Sequence, residues 1–284
     1  MFYSPLRYPG GKGKLAEFVK IIFKRNDLLE GYYVEPYAGG ASIALSLLFS
    51  GYASKIIIND FDKSIFAFWH SVINETDELC KLISDSPINM DVWRQQKEIQ
   101  KQKEEASLLQ LGFSTFFLNR TNRSGIITAG VIGGNDQFGN YKIDARFNKK
   151  DLISRIQQIG KRADSILLYN LDAIELIRNI SSELPEKTLI YFDPPYYIKG
   201  KQLYANHYKH EDHLLVSQMI NGILEHKWLV SYDNEKEIRN LYKTNKKFTY
   251  SLNYSAVNST SGSEVIIYHK DLIIPRVGRP SLAL

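Results

Sequence analysis

The chain predicts an α/β fold built on a mostly parallel sheet with an antiparallel strand near its C-terminus. Three observations carry that prediction. Apolar runs of strand length alternate with helical patterns towards both ends of the chain, which is the β-α-β rhythm of a parallel sheet. The early runs end in acids or glycines (Glu35 ahead of Gly39-Gly40, and Asp60 after Ile56-Ile57-Ile58), as ligand-facing strand tips do. The run Leu189-Ile-Tyr-Phe192 stops at Asp193-Pro194-Pro195, and two prolines neither extend a ladder nor enter a helix interior.

In chain order, residues 32–35 read as a short strand, followed by the turn Ala38-Gly39-Gly40 and a buried helix over 41–49. Residues 55–60 predict a second buried strand and 64–74 a helix. The rhythm then stops. Residues 75–162 are polar, with a mixed-sign charged run at 94–105 that reads as a solvated helix face and a Gly/Asn/Thr/Ser-rich stretch at 120–141. They predict an inserted, mainly helical subdomain with one long loop. Strands return at 165–170 and 188–192 around a helix at 173–180, and a helix at 211–226 leads to a strand at 228–232. Strands at 248–254 and 264–270 predict an antiparallel pair turning at 259–262, and the tail from Pro275 predicts mobility. The sheet domain thus comprises 1–74 and 163–284, interrupted by 75–162.

At 284 residues the chain can bury about three quarters of its extended surface, and 44% hydrophobic with 24% charged residues is ordinary for a globular protein. A net charge of +5 suits a polyanionic partner without demanding one. The single cysteine, Cys80, rules out an internal disulfide and any multi-cysteine zinc site. No cationic-then-apolar leader and no run of bilayer-spanning length is seen, so a cytoplasmic protein without membrane partners is expected.

The chemistry concentrates in a few turns. Asp193-Pro194-Pro195-Tyr196 would aim one carboxylate, bare carbonyls and an aromatic face at one point. A planar base bearing an NH2 group fits that set, its hydrogens going to the acceptors and its ring onto the tyrosine. Val34-Glu35-Pro36-Tyr37-Ala38-Gly39-Gly40-Ala41-Ser42 lets backbone approach a ligand closely, which suits a nucleotide-like cofactor although G-x-G-x-x-G is absent. Asp60, at the end of the next strand, is placed to accept ribose hydroxyls. Tyr8-Pro-Gly-Gly-Lys12-Gly-Lys14 is not a phosphate loop, because Leu15 stands where magnesium binding needs Ser or Thr. It reads as a plain turn, or as a loop whose lysine reaches the carboxylate of an amino-acid-bearing cofactor. His207, His210 and His213 match no metal motif, so no metal is expected. Cys80 follows Leu79 rather than a proline, which argues against a thiolate nucleophile that adds to a base ring.

These four elements, in this order and spacing, resemble the Dam-type N6-adenine DNA methyltransferases. Phe116-Phe-Leu-Asn-Arg120, Leu229-Val-Ser-Tyr-Asp233 and the terminal strand pair around Gly262 look similar too, so the resemblance spans nearly the whole chain. It implies a Rossmann-like S-adenosylmethionine-dependent methyltransferase sheet carrying a DNA-recognition insertion. By the same resemblance, Tyr8 (often tryptophan in the family) and Lys12 would contact the methionine part of the cofactor, and Asp60 its ribose. Glu35, Tyr37, Gly39 and Asp172 would complete its pocket. Asp193 and the Pro194 carbonyl would engage the amine of a flipped adenine, with Tyr196 stacked on the base.

In the insertion, Asn119, Arg120, Asn122 and Arg123 are residue types that read adenine and guanine, and Lys199 and Lys201 would meet phosphates. The loop after the shared Asn-Arg departs from Dam, running Thr121-Asn122-Arg123-Ser124, so the GATC site is not carried over. The expected partners are double-stranded DNA and a restriction endonuclease sharing its recognition sequence, with the chain a monomer or weak dimer. N4-cytosine methylation and a silent DNA-binding scaffold are the alternatives. The acidic first residue of the D-P-P-Y motif, and the presence of Asp193, Tyr196, Asp60 and Lys12 together, favour an active adenine enzyme.

Overall fold

A computed structural model describes residues 3–7, 15–198, 208–223, 225–254 and 260–275, without side chains at 251–254 and 260–262. The expected site residues Tyr8, Lys12, Lys199 and Lys201 lie outside the described residues. In chain order the elements are α1 (Ala16–Arg25), β1 (Gly31–Glu35), α2 (Ser42–Phe49), β2 (Ala53–Asn59), α3 (Lys63–Asn74), α4 (Thr76–Asp85), α5 (Met90–Lys101), α6 (Leu108–Thr121), α7 (Lys149–Gly160) and β3 (Ile166–Tyr169). There follow α8 (Ala173–Ile180), β4 (Thr188–Phe192), α9 (His210–Gly222), β5 (Lys227–Asp233), α10 (Lys236–Leu241), β6 (Lys246–Tyr254) and β7 (Thr260–Tyr268). None of these helices is long and apolar enough to cross a membrane.

The chain divides into two compact units, Met1–Gly11 with Asp60–Asn170 and Lys12–Asn59 with Leu171–Leu284. In the second unit six strands lie in the order β2-β1-β4-β5-β7-β6. β2, β1, β4 and β5 are mutually parallel, and β7 runs antiparallel to both β5 and β6. All five residues of β4 are buried, as a central parallel strand requires. Ile190 and Phe192, each fully buried, contribute about 1.5–3 kcal/mol apiece relative to exposure. The apolar helix α2 buries six of its eight residues.

The first unit takes in more chain than the expected insertion, because α3 packs against α6. Phe68 of α3 stacks on Phe116 of α6 (5.9 Å, 7° between planes), and Phe147 meets Phe116 edge-on at 5.3 Å. A capping box begins α6: Ser107 Oγ accepts from the Gln110 N–H (3.3 Å), and Gln110 Oε1 accepts from the Ser107 N–H (3.2 Å). In α4, Cys80 is buried, and burial with Asp77 nearby pushes its thiol up to about 11. β7 begins at Thr260, so residues 260–262 pair with β6 instead of turning, and residue 259 of the expected turn lies outside the described residues.

Candidate active site

The tips of β1 and β4 lie side by side, since the two strands pair in parallel. Beyond β1 the chain turns through Gly39 and Ala41, both left-handed with φ near 46°, before entering α2. The alanine is there at a cost, because L-residues with a Cβ avoid that conformation. Asn59, 1% exposed, fixes this turn. Its Nδ2 donates to the Pro36 carbonyl (2.8 Å) and the Leu171 carbonyl (3.0 Å), and its Oδ1 accepts from the Leu171 N–H (2.9 Å). One asparagine thereby joins the loop after β1 to the segment carrying Asp172.

The expected site residues of this unit occupy graded depths. Glu35 is 4% exposed, and its Oε1 accepts from the Tyr33 hydroxyl (3.0 Å) and the Ala44 N–H (3.2 Å), tying β1 to the first turns of α2. Burial lifts its carboxyl to about 8, with the nearby Asp193 adding to the rise against those two hydrogen bonds. Tyr37 meets Tyr208 hydroxyl to hydroxyl at 3.1 Å, with the rings edge-on. Asp172 is half-buried and caps α8, accepting from the Ile174 N–H at 2.8 Å.

Asp193 stands just past the end of β4, half-buried, and its Oδ1 accepts from Ser231 Oγ at 2.7 Å. Tyr196 is 3% exposed, with its hydroxyl donating to Glu264 Oε1 at 2.5 Å. Beside this turn His213 is fully buried, its Nδ1 3.0 Å from the Tyr232 hydroxyl and its ring 5.2–5.5 Å from those of Tyr197, Tyr208 and Tyr232. Burial lowers its pKa to about 4, leaving it neutral at pH 7.

In the other unit, Asp60 is half-buried, and its Oδ1 accepts from the Asp62 N–H at 3.0 Å. Asn170 donates to the Asp60 carbonyl at 2.7 Å, so the expected acid sits on a pinned backbone.

The same unit corrects two expected DNA contacts. Asn119 is 1% exposed, and it exchanges hydrogen bonds with the Arg7 backbone at 2.7 and 2.6 Å while donating to the Gly125 carbonyl at 2.8 Å. Asn122 is fully buried, accepting from Trp93 Nε1 (2.7 Å) and donating to the Ile126 and Ile127 carbonyls (3.1 and 2.8 Å). Both asparagines stiffen a hairpin closed by the Asn122–Val131 bridge, so neither presents an amide to a groove. Arg120, half-buried, donates through Nε and a terminal nitrogen to the Pro5 carbonyl, and desolvation lowers its pKa to about 10. Arg123 alone of the four is exposed.

Residues that the motifs did not single out also face solvent here. Phe138 is 89% and Tyr141 66% exposed, with Arg146 over the Tyr141 ring at 5.8 Å. Asn59 and Ser231 went unassigned as well. Their signal is only a polar residue inside an apolar strand, which has meaning once the strand's neighbours are known.

Residues 8–256 match the model of the D12 class N6 adenine-specific DNA methyltransferases. The type II methyltransferase M.MjaIII of Methanocaldococcus jannaschii is 23% identical over 205 residues, covering 67% of this chain and 68% of that protein. Among solved structures, the rRNA methyltransferase AviRa of Streptomyces viridochromogenes is similar at a TM-score of 0.36 and 10% identity, covering 88% of this chain and 82% of its own. A structure from Listeria monocytogenes described as a class I S-adenosylmethionine-dependent methyltransferase gives 0.34 at 10% identity, covering 91% and 62%. With the match running from the N-terminal motif to the end of β6, the chain belongs to the D12 class of adenine-specific DNA methyltransferases.

Proposed function

We propose that this enzyme transfers the methyl group of S-adenosylmethionine to N6 of an adenine rotated out of double-stranded DNA, with Asp193 as the acceptor that activates the amine. The observation that carries this reading is a half-buried carboxylate just past the tip of β4, followed directly by Pro194 and held through Oδ1 by Ser231. The cofactor suits the residues present. The turn through Gly39 and Ala41 is left-handed and carries no Cβ at Gly39, and Tyr37, beside it in the chain, lies near the Asp172 carboxylate. By family resemblance Asp60 takes the ribose, and Tyr8 and Lys12 the methionine part. When bound, the cofactor supplies an electrophilic sulfonium methyl.

The chain's own residues prepare the nucleophile. The exocyclic amine of adenine is weak because its lone pair is delocalised into the ring. Hydrogen bonds from the NH2 to Asp193 and to the Pro194 carbonyl draw the nitrogen towards sp3 geometry and localise that pair. Asp193 also offers a base for the proton lost on methylation. Tyr196 is 3% exposed, so stacking a base on it requires that the ring be uncovered as DNA binds.

On the DNA side, exposed Arg123 is the candidate for base reading, with Phe138 and the Tyr141–Arg146 pair flanking the duplex. Lys199 and Lys201 are proposed to contact phosphates. A restriction endonuclease that shares the recognition sequence is the protein partner proposed for this enzyme. We place the enzyme in the cytoplasm, acting as a monomer or weak dimer. Incubation with DNA and radiolabelled S-adenosylmethionine tests the site. Asp193→Ala is expected to abolish label in N6-methyladenine while DNA binding persists, and near-normal turnover by that variant would overturn the assignment.

A further inference from the structure

Three polar side chains outside the D-P-P-Y motif hold its carboxylate, its ring and the backbone just after it. Ser231 Oγ donates to Asp193 Oδ1 at 2.7 Å. The Tyr191 hydroxyl lies 2.7 Å from the same Ser231 oxygen, and since a serine hydroxyl has one proton, Tyr191 is the donor there. Asp233 takes the backbone after the motif, with Oδ1 accepting from the Tyr197 N–H (2.9 Å) and Oδ2 from the Ile198 N–H (3.1 Å). Glu264 takes the ring: Oε1 accepts from the Tyr196 hydroxyl at 2.5 Å, and Oε2 accepts from the Tyr250 hydroxyl.

All three are buried, at 0%, 9% and 1% exposure respectively. Their placement follows from the ladder. Residues 231 and 233 are two apart on β5 and share a face, and Asp233 is the register partner of Glu264 on β7.

We propose that Ser231, Asp233 and Glu264 are positioning residues, a cradle that sets the Asp193 carboxylate and the backbone just after the D-P-P-Y turn in their working arrangement before substrate arrives, and that tethers the Tyr196 hydroxyl. This rests on Asp193 being the amine acceptor. A carboxylate free to rotate would have to be ordered during the reaction, whereas one fixed by a neutral hydroxyl is already aligned while still able to accept. Through the carboxylate and the backbone the cradle therefore acts on the chemical step and not on the binding of either substrate.

The test is steady-state kinetics of Ser231→Ala, Tyr191→Phe, their double variant and Asp233→Asn, with DNA and S-adenosylmethionine varied separately. Ser231→Ala is expected to lower kcat about tenfold with both KM values within about twofold, the split expected for a group that acts only as the transition state is reached. The double variant is expected to cost no more than Ser231→Ala alone, because the two hydroxyls form one chain. Asp233→Asn sets an NH2 against a backbone N–H and is expected to lower kcat in the same way. If Ser231→Ala does not fold, Tyr191→Phe, which loses a single oxygen, decides by the same split. Unchanged kcat in Ser231→Ala and Asp233→Asn, with Asp193→Ala inactive, overturns the cradle and leaves the functional reading standing. A wild-type protein that methylates no adenine overturns the functional reading itself.

Discussion

Glu35 is a carboxylic acid that stays protonated at neutral pH. Burial lifts it from 4.5 to about 8, so between those values the folded chain holds a proton that the unfolded chain has released. Its contribution to stability is therefore complete below about pH 4.5, falls as pH rises and is gone above about pH 8. Glu35→Gln keeps an oxygen for the Tyr33 hydroxyl and the Ala44 N–H but has no proton to lose. Thermal melting of the two proteins across this range is expected to show the wild type losing ground to the variant as pH rises. Parallel pH profiles would contradict the buried, neutral carboxyl. The two arginines of the hairpin separate in the same concrete way. Arg120→Ala is expected to lower stability, by about 1–3 kcal/mol in chemical denaturation, because the Pro5 carbonyl loses its donor. Arg123→Ala is expected to leave stability unchanged and relax the methylated sequence, as read by mapping N6-methyladenine in random-sequence DNA. The sequence could not separate Asn119 and Asn122 from Arg123. Polar residue types interleaved with glycine look alike whether an amide satisfies a neighbouring carbonyl or faces solvent, and only the folded hairpin tells them apart.

Among the elements, those with strong local signals were legible. The helix at 173–180 agrees with α8 to the residue, and 188–192 with β4, because each is a short apolar segment bounded by Asp172 or by Pro194. Helix α1 was missed although Phe18, Val19, Ile22 and Phe23 keep helical spacing and are all buried. Helix α10, at six residues, is too short for periodicity to register. The reach of the first unit was not legible either, since it depends on how closely α3 and α6 approach. Gly112 sets that approach: a Cβ there would lie 2.5 Å from Ser71 Oγ and 2.6 Å from the Ala67 carbonyl oxygen. Gly112→Ala should therefore destabilise the protein by about 1–3 kcal/mol, outweighing the gain of up to about 1 kcal/mol that alanine brings to a helix. A variant with a higher denaturation midpoint than wild type would show that the two helices can separate at little cost.

For the molecule as a whole, the charge of +5 and the exposed arginine-bearing hairpin predict that DNA affinity falls as salt rises from about 50 to about 200 mM. Titration of a duplex against the protein at several salt concentrations measures the slope, and an affinity indifferent to salt would remove phosphate contacts from the account. Where the sheet ends, a different economy of design operates. Glu264 joins Ser231 and Asp233 at the same turn only because β5 and β7 pair one way, Ser231 with Ile266 and Asp233 with Glu264. A single residue inserted into β7 would turn its remaining side chains to the opposite face while leaving every recognisable motif intact. Such a chain would still be assigned to its class by anyone reading its letters, yet Tyr196 would have lost the carboxylate that tethers it.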